Sequence, residues 1–122
     1  MTSRGEDLTL AFRLADAADA ITLSRYQSQD LKISTKPDNT PVTDADKSAE
    51  EAIRALLGAH RPDDGIVGEE FGNVAVDHQR YWVIDPIDGT KNFLRGVPTW
   101  ATLIGLVERQ PDGSQKTVLG VV

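Results

Sequence analysis

Asp85 and Asp88 stand three residues apart at the end of an apolar run, in the string Trp82-Val83-Ile84-Asp85-Pro86-Ile87-Asp88-Gly89-Thr90. Tyr81 to Ile84 reads as a buried strand. Pro86 fixes its own φ and biases Asp85 toward extended geometry. Gly89 permits a backbone conformation that other residues avoid, and Thr90 opens a short helix over Lys91-Asn92-Phe93-Leu94. Two anionic side chains are therefore held at a strand end beside a helix N-terminus. Carboxylate oxygens bind hard cations such as Mg²⁺, and helix N-termini bind phosphate. The pattern points to metal-assisted phosphoryl chemistry. Taken alone, Asp-x-x-Asp-Gly is an ordinary turn; the apolar strand ahead of it gives the string its chemical meaning.

Three further groups could join that chemistry. Glu69-Glu70 follows the short strand Ile66-Val67 through Gly68. Paired acids at a strand end are usually solvated surface, so this pair matters only if it meets Asp85 and Asp88, which adjacent strand ends in one sheet would allow. Thr43-Asp44-Ala45-Asp46 precedes a helix, where Thr43 or Asp44 serves as N-cap and acids suit the first turn. An EF-hand is excluded, because counting from Asp44 puts Ala49 at the glycine position and Ala55 at the final glutamate. Asp46 could instead orient a metal-bound water within a proton relay. Lys36 lies in a loop with Pro37, Asp38, Asn39 and Pro41. His60 and His78 lack partners at metal-ligand spacing and receive no role.

The elements that must position these residues follow from periodicity. A long helix is expected from about Asp7 to Gln29, with Ala11, Leu14, Ala18 and Ile21 on one face, and a second from about Asp44 to Ala59, with Ala49, Ile53 and Leu56. Leu31 to Pro41 reads as a polar loop whose prolines oppose regular structure. Strands are expected at 66–67, 81–84, 100–108 and 116–122, the last two joined by a turn at Gln110-Pro111-Asp112-Gly113-Ser114. The expected fold class is α+β, a layered α/β sandwich with two helices packed on a mainly antiparallel sheet.

Bulk properties narrow the function. The chain has 122 residues, 39% hydrophobic and 26% charged, enough for one domain, 1–122, with a core. A net charge of −6 argues against nucleic acid or an anionic membrane as partner. With no cysteine there are no disulfides or thiolate metal sites. Met1 to Asp7 carries no apolar signal core and no run approaches membrane-spanning length, so a cytoplasmic location is expected. Because Val118-Leu119-Gly120-Val121-Val122 reads as a strand, the chain is expected to be the N-terminal part of a longer protein.

The nine-residue string, Lys36 with Pro41-Val42-Thr43-Asp44-Ala45-Asp46, and Gly68-Glu69-Glu70 together resemble the inositol-monophosphatase-like family of Mg²⁺-dependent, lithium-sensitive phosphatases. The resemblance runs from about Leu8 onward and implies a sugar-phosphatase type of sandwich. It implies Glu69 as a metal ligand, Asp85 bridging two metals, the Ile87 carbonyl completing one shell and Asp88 binding the second metal. Gly89 and Thr90 would offer N–H groups to the substrate phosphate, Thr90 and Asp46 would polarise the attacking water, and Lys36 would lie in a mobile loop that closes over the site. The cofactor implied is Mg²⁺, with Mn²⁺ as a substitute, and the partner a small phosphorylated alcohol, the whole protein forming a homodimer. Members of that family are longer. Their second half carries a Trp-Asp-x-Ala-Ala-Gly-like motif with another metal-binding aspartate, which this chain lacks.

Within the family, Gly89-Thr90-Lys91-Asn92-Phe93 with Arg95-Gly96-Val97-Pro98-Thr99-Trp100-Ala101-Thr102 is similar to the bacterial histidinol-phosphatase branch, inositol-phosphatase members more often having Thr at the place of Lys91. The alternatives are an inositol or other sugar or nucleotide phosphatase and, outside enzymes, a cation-binding half-module that pairs through its terminal strand.

Overall fold

Helix α1, Arg4–Arg25, begins earlier than its apolar periodicity suggests. Ser3 and Glu6 form a reciprocal capping box, a signal present in the sequence as Ser-x-x-Glu. The helix also ends before Gln29: Tyr26 is extended and Gln27 takes a φ of 62°. The structure, a computed structural model, describes residues 3–122; the part of the Met1 to Asp7 reading that concerns Met1 and Thr2 lies outside them.

The segment expected to be loop contains a small hairpin, β1 (Ile33–Thr35) with β2 (Pro41–Thr43). The prolines do not prevent it. Pro37 sits in the connection, and Pro41 lies at the strand start, where a missing N–H is tolerated. Asn39 supplies the left-handed residue at φ 67°, and Lys36 donates its N–H to Thr40 at 2.9 Å.

Helix α2, Asp44–His60, leads to a sheet built from β3 (Gly65–Gly68), β4 (Gly72–Val74), β5 (Arg80–Asp88), β6 (Ala101–Arg109) and β7 (Gln115–Val121), with the short α3 (Thr90–Leu94) between β5 and β6. The strand order is β4-β3-β5-β6-β7. Only β3 and β5 run parallel; the other pairs are antiparallel. Strand β4 was not expected, since Gly72-Asn73-Val74 has no apolar run to announce it. Both helices cover one face of the sheet. Leu10, Leu14 and Ala18 of α1 and Ala49, Ile53 and Leu57 of α2 meet Trp82, Ile84, Ile104, Leu106 and Leu119 in one core. The expected α+β layering is what the chain adopts.

A buried charge cluster ties the far end of this sandwich. Asp7 is fully buried and takes Arg80 at 2.8 Å and Arg61 at 3.5 Å. A carboxylate so buried is tolerable only when paired. Trp82, also fully buried, donates its indole N–H to Asp64 at 3.0 Å. These contacts fix the start of β5, and its other end carries the acids. Among the described residues no helix is long and apolar enough to cross a membrane.

Candidate active site

Strand β5 does not stop at Ile84; it runs through the acidic string. Trp82 and Ile84 face the helices, so Val83 and Asp85 face the opposite side. A plain strand would then turn Asp88, three residues on, back toward the helices. The pairing with β6 prevents this. Asp85 lies opposite Leu103 and Asp88 opposite Ala101, with an irregularity between them. Three steps on β5 match two on β6, so one extra residue is bulged out and both aspartates share a face. Pro86 has no N–H to lose there. Its carbonyl accepts the buried Thr102 hydroxyl at 2.8 Å. Sequence reading did not single out Thr102, because its task exists only once β6 lies against the bulge.

Glu69 arrives by register. Gly68 of β3 pairs in parallel with Ile84 of β5, so Glu69, just past the end of β3, comes beside Asp85 within β5. A cavity of about 410 Å³ is lined by Glu69, Glu70, Asp85, Ile87, Asp88, Gly89, Thr90 and Lys36 among others. Lys36 comes from the tip of the β1–β2 hairpin. Its ammonium lies 3.9 Å from Glu69 and 3.7 Å from Glu70. Sequence reading gave Glu70 no separate role, yet its side chain is only 5% exposed.

The carboxylates strain one another. Asp85 has its pKa raised from 3.8 to about 6, first by burial and then by the charges of Glu69, Asp88 and Asp46, against a backbone hydrogen bond from Ile87. Glu70 is raised as well, chiefly by burial, with Lys36 opposing. Among the described residues no three acidic or histidine side chains form a ready metal shell; the acids converge on one cavity rather than on one point. The ligand-bearing side chains that line the cavity, lysines apart, are carboxylates, threonine hydroxyls and one asparagine amide, without His or Cys, an oxygen set that fits a hard cation such as Mg²⁺ or Mn²⁺.

Asp46 reaches the site from beneath. One oxygen, Oδ2, accepts the Thr43 N–H at 2.9 Å and its hydroxyl at 2.6 Å, closing the N-terminal cap of α2. The other, Oδ1, accepts the Thr90 hydroxyl at 3.0 Å. The cap of α2 and the contact with Thr90 therefore use different atoms of one side chain. Thr90 also lies 3.2 Å from the Ile87 carbonyl.

Gly89 caps α3 at φ 91°, ψ 42°, with no side-chain cap, leaving the first-turn N–H groups of α3 for the cavity. Phe93, the buried residue of α3, anchors it against Ile87, Ala45, Tyr26 and Trp100. His60 lies in the last turn of α2, and His78 Nδ1 sits 2.6 Å from the Asp63 carbonyl; neither lines the cavity.

Residues 4–122 match the family model described as the inositol monophosphatase family. The chain is 59% identical over 117 residues to a histidinol-phosphatase of Streptomyces coelicolor, covering 96% of this chain and 43% of that one. It is 57% identical over 103 residues to a histidinol-phosphatase of Mycobacterium tuberculosis, covering 84% and 40%. Among solved structures, the extragenic suppressor protein suhB from Bartonella henselae superposes with a TM-score of 0.84 at 33% identity, over 95% of this chain and 44% of that one. The chain thus spans less than half the length of each of these three proteins.

Proposed function

The chain belongs to the inositol monophosphatase family, and on that premise we propose that the whole protein is a metal-dependent phosphomonoesterase whose substrate is L-histidinol phosphate. The observation that carries the reading is the meeting of Glu69, Asp85 and Asp88 on one cavity that Thr90 also lines, its hydroxyl bonded to Asp46.

Glu69, Asp85, Asp88 and the Ile87 carbonyl would hold Mg²⁺. When bound, the metal supplies positive charge that offsets the phosphate and lowers the pKa of water. The chain's own groups do the rest. The N–H groups of Gly89 and Thr90, at the start of α3, receive phosphate oxygens. Thr90 Oγ1 already donates to Asp46 Oδ1, so its lone pairs are free to accept a hydrogen bond from an attacking water and to take up proton density as the new P–O bond forms. Asp46 is held against rotation by its bonds to Thr43. Lys36 at the hairpin tip balances acids that would otherwise repel a phosphate. The ester P–O bond breaks and the alcohol departs with a proton.

The substrate assignment is supported by the two histidinol-phosphatase relatives and by the resemblance of the Gly89-Thr90-Lys91-Asn92-Phe93 segment to that branch. An alcohol carrying a cationic amine suits an acidic rim. The deciding measurement is kcat/KM for L-histidinol phosphate against inositol 1-phosphate at equal Mg²⁺, with release of inorganic phosphate as readout. A ratio favouring histidinol phosphate is expected. A ratio favouring inositol phosphate overturns the substrate and leaves the site reading standing; no release from any phosphomonoester overturns both.

A further inference from the structure

Glu50 is fully buried in α2, outside the cavity, and the hydrolysis above gives it no task. Both of its oxygens are nevertheless engaged. Oε1 accepts the N–H of Glu70 at 2.9 Å, and Oε2 accepts the N–H of Phe71 at 2.8 Å. Oε2 also takes Arg54 Nε at 3.0 Å, one helical turn along α2, and the Arg54 guanidinium donates to the Gly72 carbonyl. One ion pair thus holds three consecutive backbone positions: 70 and 71 in the turn between β3 and β4, and 72 at the start of β4. The sheet cannot supply the bonds to Glu70 and Phe71, because the β3–β4 ladder closes at Gly68 and Gly72.

The closeness of the clamp explains Gly68. A Cβ there would lie 2.5 Å from Glu50 Oε2 and 2.6 Å from an Arg54 nitrogen, so a side chain at this position would displace the pair that passes under the strand. Glu69 is then the single residue between two fixed points: Gly68, registered against Ile84, and Glu70, whose N–H is tied to α2. Stability alone does not account for the arrangement, since a buried ion pair is often replaceable by apolar side chains without loss.

We infer that Glu50, braced by Arg54, is a positioning residue that fixes the β3–β4 turn and thereby aims the Glu69 carboxylate into the cavity beside Asp85. The inference rests on the reading of Glu69 as a metal ligand. Groups that orient a metal's ligands commonly set its affinity by 10–100-fold.

The test is a titration of the protein with Mn²⁺, free Mn²⁺ being read by electron paramagnetic resonance, for wild type, Glu50→Gln and Arg54→Met. Amide hydrogen exchange at Glu70 and Phe71 is followed in parallel. Both variants are expected to weaken Mn²⁺ binding by about 10-fold or more. They are also expected to speed exchange at Glu70 and Phe71 while the β5–β6 ladder stays protected. The two substitutions remove opposite charges, so a purely electrostatic influence would weaken binding in Glu50→Gln and strengthen it in Arg54→Met. Opposite movements, or faster exchange with unchanged Mn²⁺ affinity, would overturn the inference. Should Glu50→Gln fail to fold, Arg54→Met, whose side chain is less buried, carries the comparison. Asp85→Asn serves as reference: wild-type Mn²⁺ affinity in that variant would remove the metal site itself, an outcome separate from any result at Glu50 or Arg54.

Discussion

Thr90 and Asp46, 44 positions apart in sequence, are joined by a hydrogen bond of 3.0 Å between hydroxyl and carboxylate. The bond links the first residue of α3 to the first turn of α2. It ties a residue of the cavity wall to a buried carboxylate, the pair proposed above to relay a proton. Asp46 is 2% exposed, so losing the hydroxyl leaves a desolvated oxygen without that donor.

Thr90→Val is therefore expected to lower kcat for phosphate release by about 10²–10⁴-fold, the usual scale of acid–base assistance. KM should change little, because the α3 N–H groups remain. Thr90→Ser should retain most activity. Steady-state kinetics on both variants checks this, and a Val variant with near-native kcat would dismiss the relay.

Asp85→Asn should separate function from stability. Burial and three neighbouring acids oppose the Asp85 charge, so its removal is expected to raise the melting temperature of the metal-free protein at neutral pH by a few degrees, a shift of roughly 1 kcal/mol. The same change should abolish most Mg²⁺ binding. Calorimetric melting in chelator, beside Mg²⁺ titration, measures both; a lower melting temperature with intact binding would contradict the assignment.

The pH dependence follows from the same group. Its folded-state pKa, about 6, lies above the ordinary 3.8, so the folded state holds more protons than the unfolded one between those values. The contribution of Asp85 to metal-free stability is accordingly most favourable at the acidic end and is lost as pH rises through about 6. Glu70, also raised, acts in the same sense. Protons compete with cations for these oxygens, so Mg²⁺ affinity should rise across the window and level off above it. Paired melting and Mg²⁺ titrations at several pH values test the two opposite trends, and Asp85→Asn should flatten both.

Gly89→Ala tests the α3 entrance. The position has φ 91°, and a Cβ would lie 3.1 Å from the Thr99 carbonyl. A left-handed residue with a side chain costs about 1–2 kcal/mol, and the carbonyl contact adds to it. The variant is expected to melt several degrees lower and to bind inorganic phosphate more weakly, read by calorimetry in the presence of Mg²⁺. Unchanged phosphate affinity would place the anion elsewhere.

Much of the molecule could be read before folding. The two helices, the strands at 81–84, 100–108 and 116–122 and the 110–114 turn are local patterns, since helix and strand periods are written along a single segment. Asp85, Asp88, Gly89 and Thr90 could be picked out for the same reason: strand, acids, glycine and helix start are contiguous. The early start of α1 was also legible in Ser3 and Glu6, though the apolar periodicity drew attention to Asp7 instead. The β1–β2 hairpin and β4 were not legible, because three-residue strands with polar composition gain their pairing from neighbours rather than from their own pattern.

By itself, the sequence determined which residues carry the acids, the hydroxyl and the left-handed glycine, because those are properties of side chains and of local backbone. It could not determine that Asp85 and Asp88 face the same way, which requires the extra residue on β5 relative to β6. Nor could it set Glu69 beside Asp85, a consequence of the parallel register of Gly68 and Ile84, or bring Glu50 beneath the β3–β4 turn. Each of these is a relation between segments distant along the chain, fixed by hydrogen-bond register and by packing against α2, and neither exists until the sheet and the helices have closed on one core.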